Sequence, residues 1–206
     1  MGNILFGILY GNGVTPLLMA AKDGYDDMVD WILQRDLYDV NQPRKQDGVT
    51  PLFMAAHKGH YKVVEILLDN VGIQVNQARN DGITPLFVAA HNGHENVVEL
   101  LLQKVGIQVN QPRNDGVTPL FMAAQNGHEE VVKLLLKKDD ILVNQVVWMG
   151  KTPLMAAAQK RHGRTVEMLL RTAAIQTIGW NGWRPHRRIS APPQLPVGYI
   201  GPRIVM

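Results

Sequence analysis

The chain is 206 residues long and 46% hydrophobic, with a formal charge of +3 and no cysteine; that excludes disulfides and thiolate metal or redox centres and suits an intracellular, cytoplasmic protein, with the nucleus also open. Residues 171–206 hold five arginines and no acid, so residues 1–170 carry 16 bases against 18 acids. A near-neutral body is a poor surface for tracking phosphates, and nucleic acid is not the expected partner.

Residues 1–10, Met1 to Tyr10, are apolar but lack a cationic start and are too short to span a bilayer. Phe6 stands where an acylation signal beginning Met1-Gly2 needs Ser or Thr. The stretch reads instead as a cap, the remnant of a preceding repeat's finger lying over the first unit.

From there Thr-Pro-Leu recurs at Thr15, Thr50, Thr84, Thr118 and Thr152, at intervals of 35, 34, 34 and 34 residues. A fixed period of this length marks a stacked array, because no unit so small can bury its own apolar face. The third unit shows the pattern best. Thr84 is placed to cap a helix whose first residue is Pro85, where a missing amide donor costs nothing. That helix runs through Asn92 and stops at Gly93, which tolerates a left-handed backbone. A second helix is predicted from Glu95 to Gln103, with Val97, Val98, Leu100, Leu101 and Leu102 as its apolar face. The stretch from Gly106 to Gly116, containing Pro112 and an Asp-Gly turn, then predicts a hairpin-like finger.

These residues resemble the ankyrin repeat. The resemblance rests on Asp-Gly-x-Thr-Pro-Leu, the Ala55-Ala56, Ala89-Ala90 and Ala123-Ala124 pairs, Gly59-His60, Gly93-His94 and Gly127-His128, the Val-Val-x-Leu-Leu-Leu run and the Val-Asn after it. It covers residues 11–178 as five repeats and implies an all-α ankyrin-repeat solenoid of paired antiparallel helices with projecting β-hairpin-like fingers. Three departures stand out. Leu18, Phe53, Phe87, Phe121 and Met155 replace the histidine that follows Leu in the family, so apolar packing is expected to replace its hydrogen bond. The middle repeats carry one extra loop residue, and the first finger, from Pro43 to Gly48, one more.

The end repeats diverge. Trp31 stands where later repeats have Ile66 or Leu100, and core packing is its expected role. In repeat five, Arg161 fills the slot of the helix-stopping glycine. Ala173 to Ile178 reads as a faded copy of Gly-Ile-Gln-Val-Asn. Residues 179–206, rich in Trp, Pro and Arg, read as a disordered tail. Within it, Trp180 and Trp183 could fold back as a cap, and Arg184-Pro-His-Arg-Arg188 is either a basic signal or a solvated segment.

His57/His60 and His91/His94 lie three residues apart, a spacing seen in metal sites, but a glycine breaks the helix between them and no acid recurs to complete a site. The resemblance makes His60, His94 and His128 structural residues of the inter-helix turn. No nucleophile elbow, phosphate loop or metalloprotease motif occurs, so neither catalysis nor a cofactor is expected. The resemblance implies a protein partner held on the concave side by positions Asp47, Val49, His57 and Lys58; Asn80, Asp81, Ile83, His91 and Asn92; Asn114, Asp115, Val117, Gln125 and Asn126. Val14, Val49, Ile83 and Val117 are expected to form an exposed apolar row with a polar rim. The finger before repeat five carries Val146-Val-Trp148-Met149 and then Lys151, apolar where its neighbours are polar, and Trp148 is the expected hot spot. The expected function is non-catalytic protein binding by a monomer. The alternative is a regulatory or targeting fragment of a larger protein, such as a kinase, ligase adaptor or channel.

Overall fold

The computed structural model describes residues 12–147 and 150–180, with side chains to residue 172. Ten helices follow one another in five pairs among the described residues: α1 (Pro16–Asp23) and α2 (Asp26–Leu33), α3 (Pro51–Lys58) and α4 (Tyr61–Asp69), α5 (Pro85–Asn92) and α6 (Glu95–Gln103), α7 (Pro119–Asn126) and α8 (Glu129–Leu136), α9 (Pro153–Gln159) and α10 (Gly163–Trp180). Each first helix begins at its threonine. The Thr84 hydroxyl accepts the Phe87 amide at 3.1 Å, and Thr15, Thr50, Thr118 and Thr152 do the same for the residue three ahead. Each such cap contributes about 1 kcal/mol.

Helices of two turns are marginal alone, so packing must hold them. The first helices stack in one file, α1 to α9, and the second helices in a second file, α2 to α10. The alanine pairs of the first helices are almost fully buried and let neighbouring helices approach closely. Val64, Leu67, Val98, Leu101, Val132 and Leu135 supply the core between the files. Burying each such side chain contributes about 1.5–3 kcal/mol.

Two hydrogen-bonded devices join one repeat to the next. His60, His94, His128 and His162 each point Nε2 at a backbone oxygen of the preceding first helix, on Lys22, His57, His91 and Gln125, at 2.9–3.1 Å. The histidines are therefore structural, but they bond across repeats and not within their own turn. Asn41, Asn76 and Asn110 form the second device. Asn76 donates Nδ2 to the Gly106 carbonyl at 2.7 Å and accepts the Gln108 amide at 2.9 Å, clipping the loop of the next repeat; Asn41 and Asn110 repeat the pattern.

The array departs from the sequence-based expectations at its ends. Trp31 is 51% exposed, with the Arg35 guanidinium 4.1 Å from its ring centroid, and is not a core residue. Its counterparts Ile66 and Leu100 are partly buried against the core, on helices that pack on the second helix of the preceding repeat, and no such helix precedes Trp31 among the described residues. Residues 173–178 continue α10 instead of forming a loop. Ala173 and Ala174, strong helix formers, stand where repeats two to four have Val71-Gly72, Val105-Gly106 and Asp139-Asp140, so the helix runs on there. The helix therefore crosses the expected boundary at residue 178 and ends at Trp180. The apolar cap of residues 1–10, the fold-back of Trp183, the Arg184–Arg188 cluster and the tail beyond 180 lie outside the described residues.

Candidate protein-binding face

The fingers are short, and each is closed by one backbone bond across its base: Arg44 to Val49, Arg79 to Ile83, Arg113 to Val117 and Val147 to Lys151, at 2.8–2.9 Å. A second backbone bond turns each tip, from Gly48 to Arg44, Gly82 to Arg79, Gly116 to Arg113 and Gly150 to Val147 at 2.8–3.1 Å, and among the described residues the last finger alone forms a β-bridge. Successive tips are tied by main chain: the Lys45 amide donates to the Asn12 carbonyl, Asn80 to Asp47 and Asn114 to Asp81, at 2.9–3.0 Å. The fingers from Asn12 to Asp115 thus form a continuous strip.

Asp47, Asp81 and Asp115 brace this strip from inside. Asp81 accepts Nε of its own Arg79 at 2.9 Å and a second bond from the same guanidinium, and it accepts the Ile83 amide at 3.2 Å. Asp47 pairs with Arg44, and Asp115 with Arg113, in the same way. The guanidinium hydrogen bonds hold all three carboxyls below the usual aspartate range. The guanidinium carbon of Arg79 lies 5.6 Å from the Phe53 ring centroid, and that of Arg113 lies 5.7 Å from Phe87. Apolar packing with a cationic lid therefore occupies the place of the family's histidine.

The apolar row is not exposed. Val49 is 2% and Val117 8% accessible, and Ile83 is half-buried. Ile83, Phe87, Val117, Phe121, Met122, Val147 and Ala156 form one cluster. Val49, Ile83 and Val117 lie one position before the capping threonines, Val49 packed in the main core and the other two in or against this cluster. A partner cannot reach Val49 or Val117 without unfolding the base of a finger, which corrects the expectation for those positions.

Exposed side chains come from the ends of the first helices and the fingertips. His57, Lys58, His91, Asn126, Asn80, Asn114 and Asp115 are open to solvent, while Asn92, Gln125, Asp47 and Asp81 are half-buried. Some of these already work for the fold: Asn92 and Asn126 donate to the His57 and His91 carbonyls at 2.9 and 2.8 Å. The Phe53 and His57 rings stand 6.4 Å apart, which places the finger arginine, the phenylalanine and the helix end on one face. Burial is the first cause that lowers the His57 and His91 pKa values; neighbouring cations, Lys58 for His57 among them, lower them further.

The finger before repeat five differs in chemistry but keeps the bond across its base. Val147 is buried in the phenylalanine cluster, where Arg113 and Arg79 form the lids of earlier repeats, and Val146 is 59% exposed. Lys151 is exposed and donates to Gln159 at 3.3 Å. Trp148 and Met149 lie outside the described residues. The sequence reading passed over Arg44, Arg79 and Arg113, although an arginine two or three residues ahead of each finger aspartate was a visible signal. It also passed over Asn41, Asn76 and Asn110 as clips.

Among the described residues no three His, Asp or Glu side chains are placed to hold a metal ion, and no helix is long and apolar enough to cross a membrane. Two open hollows, of about 400 and 310 Å³, lie among residues such as Tyr61 and Lys62, and Ile66 and Asp69, on the second helices.

Stacked helix pairs with chained fingers define a helical repeat solenoid. The ankyrin-repeat family model matches residues 3–79, 74–146 and 109–179, and the chain belongs to the ankyrin-repeat family. No individual curated protein gave a significant match. Ankyrin repeats are in general protein–protein interaction modules.

Proposed function

We propose that this array is a non-catalytic binding module that holds a partner protein along its fingers and first-helix ends, the side expected to be concave. The observation that carries this reading is the backbone-linked strip of fingers beside exposed side chains at His57, Lys58, His91 and Asn126, with Gln125 half-buried among them. A strip fixed by main-chain bonds needs no further backbone ordering on binding, which favours affinity. On that side Lys58 stands where repeats three and four have Asn92 and Asn126, and Gln125 where repeats two and three have His57 and His91, whereas the caps, staples and clips repeat almost unchanged. Asn80, Asp81, Asn114, Asp115, Asn92 and Lys151 belong to the same proposed surface, and Trp148 and Met149 would extend it.

Placing a photo-crosslinking residue at Asn126, and in a second protein at Glu99 on a second helix, tests this. The reading expects partner crosslinks from position 126 and none from position 99. Crosslinks confined to position 99 would move the interface to the opposite side.

A further inference from the structure

The near-neutral charge of the array conceals a separation of charge between its two sides. Of the eighteen Asp and Glu residues, only Asp23, Asp47, Asp81 and Asp115 belong to the fingers and first helices. The last three are bonded to the arginines of their own fingers. On the same side Lys22, Lys45, Lys58, Lys151 and Lys160 are exposed, and none of them has a carboxylate partner among the described residues. Five unpaired amines therefore face one unpaired acid, Asp23. The other fourteen acids lie on the second helices, the turns before them and the loops after them, against nine bases. Several of those are already paired, as Lys62 with Asp26 and Lys104 with Asp69.

We infer that the partner segment held by the finger and first-helix side is acidic, a stretch of protein carrying spaced Asp or Glu side chains. This rests on the binding reading above and adds the chemistry of what is bound. Amines that no protein carboxylate neutralises raise the potential of that side and steer an anionic segment toward it. The opposite side, with acids in excess, repels the same segment. Between the lysines stand Gln125 and four asparagines, Asn80, Asn92, Asn114 and Asn126; each asparagine already donates one amide N–H to a backbone oxygen of the preceding repeat, which leaves its amide oxygen and second N–H for a peptide backbone. A polynucleotide fits less well. All three finger guanidinium groups are occupied by aspartate, and those aspartates sit along the tips, where a chain charged at every unit cannot avoid them.

The test uses the full chain and a fluorescein-labelled peptide in which Glu alternates with Ser and Leu, read by anisotropy. The peptide should bind, weaken with salt, and bind at least about tenfold less tightly to Lys45→Glu/Lys58→Glu/Lys151→Glu. Lys62→Glu/Lys104→Glu/Lys133→Glu, with the same change in net charge, should bind as the parent does. Thermal midpoints confirm that both variants are folded. Equal loss in the two triple variants, or tighter binding of a single-stranded oligonucleotide of equal charge, would overturn the inference. Sequencing the segment crosslinked from position 126 separates the two readings. A neutral or basic segment there sinks the acidic partner and leaves the binding face intact, whereas absence of crosslinks from that side sinks the binding face itself.

Discussion

The His94 ring lies against Gly59 of the preceding repeat so closely that a Cβ on that glycine would meet Nδ1 at 2.7 Å. The same ring bonds the His57 carbonyl at 3.0 Å, so one imidazole both occupies the space beside the helix end and satisfies its backbone. Gly59 is required twice, once for φ of +77° and once for the ring. Gly24, Gly93 and Gly127 stand against His60, His128 and His162 in the same way.

Gly59→Ala should therefore cost more than the about 1–2 kcal/mol of a left-handed alanine, because the ring must also move. In a His94→Ala background the same substitution should cost only the backbone part. Urea unfolding of the four proteins measures the coupling. Additive losses would show that the ring and the glycine do not compete for space.

Arg161 has φ of +63° where the four earlier repeats have glycine. Arg161→Gly removes a strain of about 1–2 kcal/mol, offset by the about 0.5–1 kcal/mol of extra chain freedom that glycine brings to the unfolded state. A rise in the thermal unfolding midpoint is the expected result. A fall would mean that the arginine side chain contributes contacts exceeding its strain.

Asn76→Ala removes both bonds of one clip and should cost about 1–2 kcal/mol. The effect should be local: hydrogen exchange at the Gln108 amide speeds up, while the Leu142 amide, held by Asn110, keeps its protection. Equal loss at both amides would make the unfolding of adjacent repeats a single event.

Two groups of residues set the response to acid. His57 and His91 have folded pKa values below their ordinary 6.5, so the unfolded chain binds their protons more readily. Stability should be complete above that value and fall as the pH drops through it toward the folded values. Asp47, Asp81 and Asp115 lie below their ordinary 3.8, so their stabilisation is present above that pH and disappears as the pH falls through the folded values. His57→Gln/His91→Gln should flatten the first decline in a plot of unfolding midpoint against pH and leave the second. An unchanged first decline would assign it to other groups.

The repeat unit was legible in sequence because its signals are local. Thr84 to Pro85 starts a helix, Gly93 stops it, and Glu95 to Gln103 has one apolar stripe; each acts within a few residues, and α5 and α6 fall where the pattern puts them. The binding face was less legible. Val49 and Val117 looked exposed because their neighbours in sequence are polar, yet Val49 packs into the main core and Val117 into the cluster of Phe87, Phe121 and Val147. Trp31 looked internal because Ile66 and Leu100 occupy its place, although a residue at that place is covered only when another helix precedes it.

Period, caps and turns follow from the chain alone, since steric and hydrogen-bonding preferences over a few residues decide them. Two features depend on residues thirty to forty apart in the chain coming together, the His94 staple to His57 and the Asn76 clip to Gly106. No local preference encodes such pairs. Stacking brings them together, because the buried surface that each repeat lacks is supplied by the next.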